Sequence, residues 1–212
     1  MITQDKKFRA VIKLLFVFSL IFGLYFAYKT IRYKDASRPI TICIQPLAFT
    51  NQELLNHLKN DIQNYYHFNV IILENKELPT EAYYPPRNRY KASKLISWLW
   101  KIKPNNTDYI IGISAKDISS KKDNNPDFGI MGLGFCPGKS CVVSTFRVKT
   151  SNQPLLKERL SKIALHEIGH NLGLGHCSIT KDCFMHAAEA SIKQIDREKL
   201  DLCANCKKKI HL

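Results

Sequence analysis

Within this 212-residue chain, the stretch His166-Glu167-Ile168-Gly169-His170-Asn171-Leu172-Gly173-Leu174-Gly175-His176 restricts the possible folds more than any other. A helix stacks residues four apart on one face, so His166 and His170 present their imidazoles toward a common point. Glu167 lies beside them, where a carboxylate next to a bound metal can take a proton from water. Gly173 comes about one turn later, where a residue free to adopt positive φ can end a helix and reverse the chain. His176 then returns as a third ligand. Three protein ligands leave the fourth position of a tetrahedral zinc ion open, which separates a catalytic site from a closed structural one. The spacing predicts a helix over Leu155 to Leu174, with Leu156, Leu160, Ile163, Ala164 and Ile168 facing the core. His57, His67 and His211 belong to no such pattern and read as ordinary surface or core residues.

HExxH followed by xxGxxH fixes five residues over eleven positions, and the same pattern in metzincins includes a methionine turn beneath the metal. Met185, nine residues after His176 in Cys183-Phe184-Met185-His186, can floor the imidazoles with its thioether; a plain core methionine is the alternative. His186 is a candidate second donor to the acyl oxygen of a substrate. Cys177 abuts His176, Cys183 precedes Met185 by two, and Cys203-Ala204-Asn205-Cys206 ends the series.

Taken together, His166 to Cys206 resembles the archaemetzincin family of zinc metallopeptidases. One spacing departs from the family pattern: five residues separate Cys177 from Cys183, where the family has four. The resemblance implies a catalytic zinc held by His166, His170 and His176, with Glu167 as general base and Met185 as the Met-turn. It also implies a second, structural zinc on Cys177, Cys183, Cys203 and Cys206, making two Zn2+ per chain. The cysteines alone would equally allow two disulfides or core thiols. Cys136 and Cys141, five apart across a turn sequence, allow either a disulfide or reduced thiols.

Upstream, Ile40 to Leu47 reads as a strand, Asn51 to Tyr66 as a helix capped by Thr50 or Asn51, and Val70 to Leu73 as a second strand, an order that argues for a parallel crossover. Pro79 to Asn88 is a loop by its prolines, Tyr90 to Ile102 a helix in which Trp98 and Trp100 cannot share one core, and Asp108 to Ser114 a central strand. Lys116 to Asp127 is expected to be a surface loop and Cys141 to Val148 a strand, with Ile192 to Leu202 closing the fold as a helix. Cys43 is expected to fill the core. The fold class is therefore α/β. By resemblance it is a metzincin-like domain whose twisted, mixed, mostly parallel sheet packs on an active-site helix and a C-terminal helix, with an edge strand near Cys141 to Val148 bordering the cleft. Such a strand pairs with extended substrate backbone. Gly129, Gly132 and Gly134 lack the spacing and the lysine of a phosphate loop.

Residues 1–38 are expected to be a membrane anchor and linker, and 39–212 the catalytic domain. From Leu14 to Tyr28 no charge interrupts the chain, and with Ala10, Val11 and Ile12 across Lys13 the run reaches about 19 residues, near the length of a transmembrane helix. A signal peptide is the rival, but Tyr25-Phe26-Ala27-Tyr28-Lys29 offers no small-residue cleavage site. Lysine and arginine flank the span equally, so orientation rests on the habit of lone N-terminal spans to act as signal anchors, which puts the domain outside the cytoplasm. The net charge is +14, of which 1–38 carry +6 (eight Lys/Arg against two Asp/Glu), leaving +8 on the domain. That excess fits solubility, anionic lipid or acidic peptides. No basic helix, finger or RNA motif points to nucleic acid. The expected partner is a peptide or protein substrate, and the expected state a monomer. Rival readings are a non-catalytic zinc-stabilised peptide-binding module, which Glu167 argues against, and a Cys-rich interaction domain.

Overall fold

Thr41–Leu47 (β1) is buried along almost its whole length because the sheet it belongs to is covered on both faces. In the computed structural model, which describes residues 19–23, 25, 38–187 and 191–212, the chain divides into units Met1–Pro39 and Ile40–Leu212. In the first unit, residues 19–23 and 25 are helical. Most of the expected span Leu14 to Tyr28 lies outside the described residues. Among the described residues no helix is long and apolar enough to cross a membrane, so the structure does not support the added transmembrane helix.

In the second unit, β1 leads into α1 (Gln52–Tyr66) and β2 (Asn69–Ile72), the expected crossover, and the Asn51 side chain caps α1 by accepting from Leu54 N–H at 3.0 Å. A 3-10 turn leads to β3 (Tyr83–Tyr84), and after a second one come β4 (Arg89–Lys91), α2 (Ala92–Ile102) and β5 (Tyr109–Ser114). Then follow β6 (Ile118–Lys122), β7 (Asn125–Ile130), β8 (Gly132–Gly134), β9 (Ser140–Ser144), α3 (Gln153–Asn171), α4 (Ile192–Arg197) and α5 (Ala204–Lys209).

The main sheet has the order β2-β1-β5-β9-β8, parallel except for β8, which runs antiparallel to β9 at the edge. One face, with Ile42, Ile44, Ile111 and Val143, packs on α1 and α3, while Cys43, Ile110 and Val142 on the other face meet Leu95 and Leu99 of α2. Gly112 admits this closeness, since a Cβ there would lie 2.7 Å from Leu99 Cδ1. Trp98 is half-buried and Trp100 is 51% exposed, as their spacing requires.

Several expectations need correction. Lys116 to Asp127 is not a loop: its residues form β6 and the start of β7 in a second sheet of order β3-β4-β6-β7. Ions rather than apolar alternation anchor that sheet, with Asp117 bonded to Arg147 at 2.8 and 3.0 Å and Asp127 to Lys91 at 2.7 Å. The strand in Cys141 to Val148 is interior, and the edge beside the helix is Gly132–Gly134 instead. The closing helix ends at Arg197, and a separate turn of helix begins at Ala204. The helix α3 is buried nearly all round rather than on one stripe. Its polar residues survive there through distant partners, Arg159 with Asp196 at 2.7 Å and Ser161 with Asp61 at 2.5 Å.

Candidate metal centre

The end of α3 builds the site. Asn152 caps its start, accepting from Leu155 N–H at 3.1 Å, and the helix stops at Asn171 because Gly173 adopts φ +95°. Gly173 N–H then donates to His170 O and Leu174 N–H to Gly169 O, both at 2.9 Å, which satisfies the last carbonyls in a Schellman arrangement. That turn swings His176 back. Its ring centroid lies 5.4 Å from that of His166 and 4.9 Å from that of His170, while the two helical rings are 4.6 Å apart. Ligand-capable nitrogens of all three lie within 4.8 Å of one another.

Carbonyl oxygens set the direction of the two helical rings. His166 Nδ1 is 2.5 Å from Phe184 O, and His170 Nδ1 is 2.7 Å from Leu174 O. Nδ1–H donates in both, so each Nε2 is left as a lone pair, the tautomer that a metal ligand needs. Burial and the neighbouring imidazoles hold His166 down to about 3, and burial also lowers His170, so both rings are neutral. Neutral imidazoles converging on one point are the donor chemistry that zinc takes. The orienting carbonyls of Phe184 and Leu174 had no signature in the sequence.

Met185 is fully buried under the helix, and Gly169 makes room for it: a Cβ at 169 would fall 2.6 Å from Met185 Sδ. The loop below the histidines is closed by Cys177 N–H donating to Met185 O at 2.7 Å and by His186 Nδ1 bonding Cys177 O at 3.0 Å. His186 is thus turned to that loop and, among the described residues, is not one that lines the cleft.

Glu167 is buried against β8. A Cβ on Gly132 would meet its Oε1 at 2.5 Å, and one on Gly134 would meet its backbone oxygen at 2.7 Å. The glycines therefore let the edge strand lie directly on the carboxylate. Burial pushes the Glu167 carboxyl up to about 8, opposed by the Gly134 N–H, and a divalent charge beside it acts in the same downward direction. The three histidines and Glu167 open onto a cavity of about 580 Å³. Its walls include Phe128, Ile130, Lys162, Ile195 and Glu198, all of which sequence reasoning missed because they come from three separate elements.

The sulfurs of Cys177, Cys183, Cys203 and Cys206 also lie within 4.8 Å of one another, and all of the chain's cysteines are unbonded, Cys136 and Cys141 included. Cys177 Sγ is 3.7 Å from Cys203 Sγ. That is far beyond a disulfide, and close to the ~3.8 Å that two thiolates ~2.3 Å from a tetrahedral zinc would keep. Cys203 N–H donates to Cys183 Sγ at 3.4 Å. Burial raises the Cys177 thiol, but the N–H groups of Thr180 and Ile179 together with hydrogen bonds from the Cys203 and Cys206 thiols outweigh it and bring it down to about 7, which favours thiolate.

A mixed α/β fold with an HExxH helix, a third histidine beyond a glycine turn and a methionine below it defines the metzincin class of zinc metallopeptidases. A profile of Peptidase family M54 matches residues 41–212. Archaemetzincin of Archaeoglobus fulgidus is 34% identical over 169 residues, covering 80% of this chain and 98% of the relative. The crystal structure of the A. fulgidus protein in complex with malonate superposes with TM-score 0.70 at 30% identity, covering 81% of this chain and all of that one. The archaemetzincin structure from Methanopyrus kandleri gives TM-score 0.71 at 25% identity, with coverage of 82% and 94%. The chain belongs to peptidase family M54, the archaemetzincins, and is a zinc metallopeptidase.

Proposed function

We propose that His166, His170 and His176 hold the catalytic zinc and that Glu167 is the general base for hydrolysis of peptide bonds. When bound, the zinc supplies a Lewis acid that acidifies water and polarises the scissile carbonyl. The observation that carries this reading is the pair of carbonyl-held imidazoles on α3 with Glu167 between them in sequence and open to the same cavity. Glu167 takes the proton of the attacking water and hands it to the leaving amine. Its contact with Gly132 and Gly134 puts that carboxylate beside β8, the exposed edge on which an extended peptide can add as a further strand. Met185 floors the site. Cys177, Cys183, Cys203 and Cys206 hold a second zinc that is structural, a closed four-thiolate site joining the Met-turn loop to the chain end. The thiol separations support it.

Residues 39–212 form the catalytic domain, working as a monomer on peptide or protein substrates. Residues 1–38 are the anchor and linker, a reading supported by the charge-free run Leu14 to Tyr28 alone. Retention in the membrane pellet after alkaline carbonate washing tests it, and a soluble form beginning near residues 28 to 32 would overturn it. For the catalytic reading, a quenched peptide library should be turned over by the zinc-loaded chain, inhibited by a chelator and recovered on adding zinc. Binding without turnover would favour the non-catalytic alternative.

A further inference from the structure

Two buried charged side chains line the cavity but have no part in the chemistry above: Lys162, 2% exposed, and Glu198, 5% exposed. Lys162 lies one turn before His166 on α3. Its ammonium donates to Ile195 O at 3.0 Å and pairs with Glu158 Oε1 at 2.6 Å, which fixes the wall between α3 and α4. Glu198 follows α4, three residues after Ile195. Its Oε1 accepts from the Gln194 amide at 3.2 Å, and the charge of Lys162 acts on it from the same wall, although that ammonium is already engaged by Ile195 O and Glu158. The cavity it lines also has Ile163, Ile195 and Met131 among its walls. Burial there pushes its carboxyl up to about 7.

A buried carboxyl group with one side-chain hydrogen bond, whose neighbouring cation is already engaged by a carbonyl and by another carboxylate, is costly unless something else supplies a donor. The cavity wall of a peptide-binding cleft offers one source. We propose that Glu198 is the specificity-determining residue of the cleft, accepting hydrogen bonds from a basic side chain of the bound peptide, lysine or arginine, whose methylenes pack on Ile163 and Ile195. This rests on the peptide-hydrolysing reading of the same site. Lys121, Lys122 and Lys162 also line the cavity and would favour an acidic side chain, but Lys121 is exposed, Lys122 lies over the Phe128 ring at 4.9 Å, and the ammonium of Lys162 is taken up by Ile195 O and Glu158. Exposed charges are screened by salt, whereas a carboxylate in a desolvated wall acts at low dielectric, so Glu198 dominates. A charge-assisted hydrogen bond in such a place changes affinity roughly ten- to hundredfold.

The test is the affinity of the zinc-loaded full chain for three matched peptide hydroxamates, differing only in whether lysine, norleucine or glutamate stands next to the hydroxamate. Affinity is read rather than turnover, so that a chain that binds but does not hydrolyse counts against the catalytic reading and not against this one. The wild-type chain should bind the lysine compound roughly tenfold or more tighter than the norleucine compound. Glu198→Gln should lose that preference while keeping the norleucine affinity, and if it does not fold, Glu198→Asp should weaken the preference. The proposal is overturned if wild type binds norleucine as tightly as lysine, if it binds glutamate most tightly, or if the lysine preference survives Glu198→Gln or is undiminished in Glu198→Asp.

Discussion

Gly132 on the edge strand and Glu167 on the active-site helix are packed so closely that a Cβ at residue 132 would fall 2.5 Å from Glu167 Oε1. The edge of the sheet and the Glu167 carboxylate are therefore one construction, and no side chain fits between them.

Gly132→Ala should push the Glu167 carboxylate out of place without touching the histidines. Zinc content should stay that of wild type while kcat falls by roughly ten- to hundredfold, because small misplacements of a reacting group cost that much. Elemental analysis beside peptide kinetics checks this. Loss of zinc with the activity would show that the strand supports the ligands and not the base.

What could be read from the chain and what could not divide along physical lines. The helix carrying His166 and His170, the turn at Gly173 and the strand Tyr109–Ser114 were legible because local rules dictate them: four-residue spacing, positive φ and an unbroken apolar run. The cysteines were legible through resemblance. The hairpin β6–β7 was not, since its strands are polar and are secured by Arg89, Lys91 and Arg147 from elsewhere in the chain. Gly132–Gly134 gave no strand signal because its glycines serve a close approach that only Glu167 explains. Lys162 and Glu198 gave no sign at all, because only tertiary packing brings α3 and α4 to one wall.

Glu198 also predicts a dependence of stability on pH. Its folded-state value of about 7 lies above the ordinary 4.5, so the folded chain keeps a proton that the unfolded chain has lost. Stability from this group is full below about 4.5 and declines as pH rises toward 7, after which the loss is complete. Glu198→Gln carries no such charge. Its Tm relative to wild type should therefore rise on going from pH 5 to pH 8, by on the order of a few degrees. Thermal unfolding at the two pH values measures it, and an unchanged difference would mean that the carboxyl is not desolvated.

Changing Cys203 and Cys206 together to Ser should drop zinc from two ions to one per chain and lower Tm, with the histidine site still loaded. The geometry behind this is the 3.7 Å separation of Cys177 and Cys203 sulfurs. A reduced, folded wild-type chain containing a single zinc would contradict the second site.

The central claim is that Glu167 activates water at a metal held by the three histidines. Its most direct test is Glu167→Ala, purified with zinc, measured for metal content and for turnover of a quenched peptide that wild type cleaves. The variant should keep its catalytic zinc and lose kcat by a factor on the order of a hundred to ten thousand, the usual worth of a positioned base. Turnover near the wild-type rate by the zinc-loaded variant would contradict the assignment.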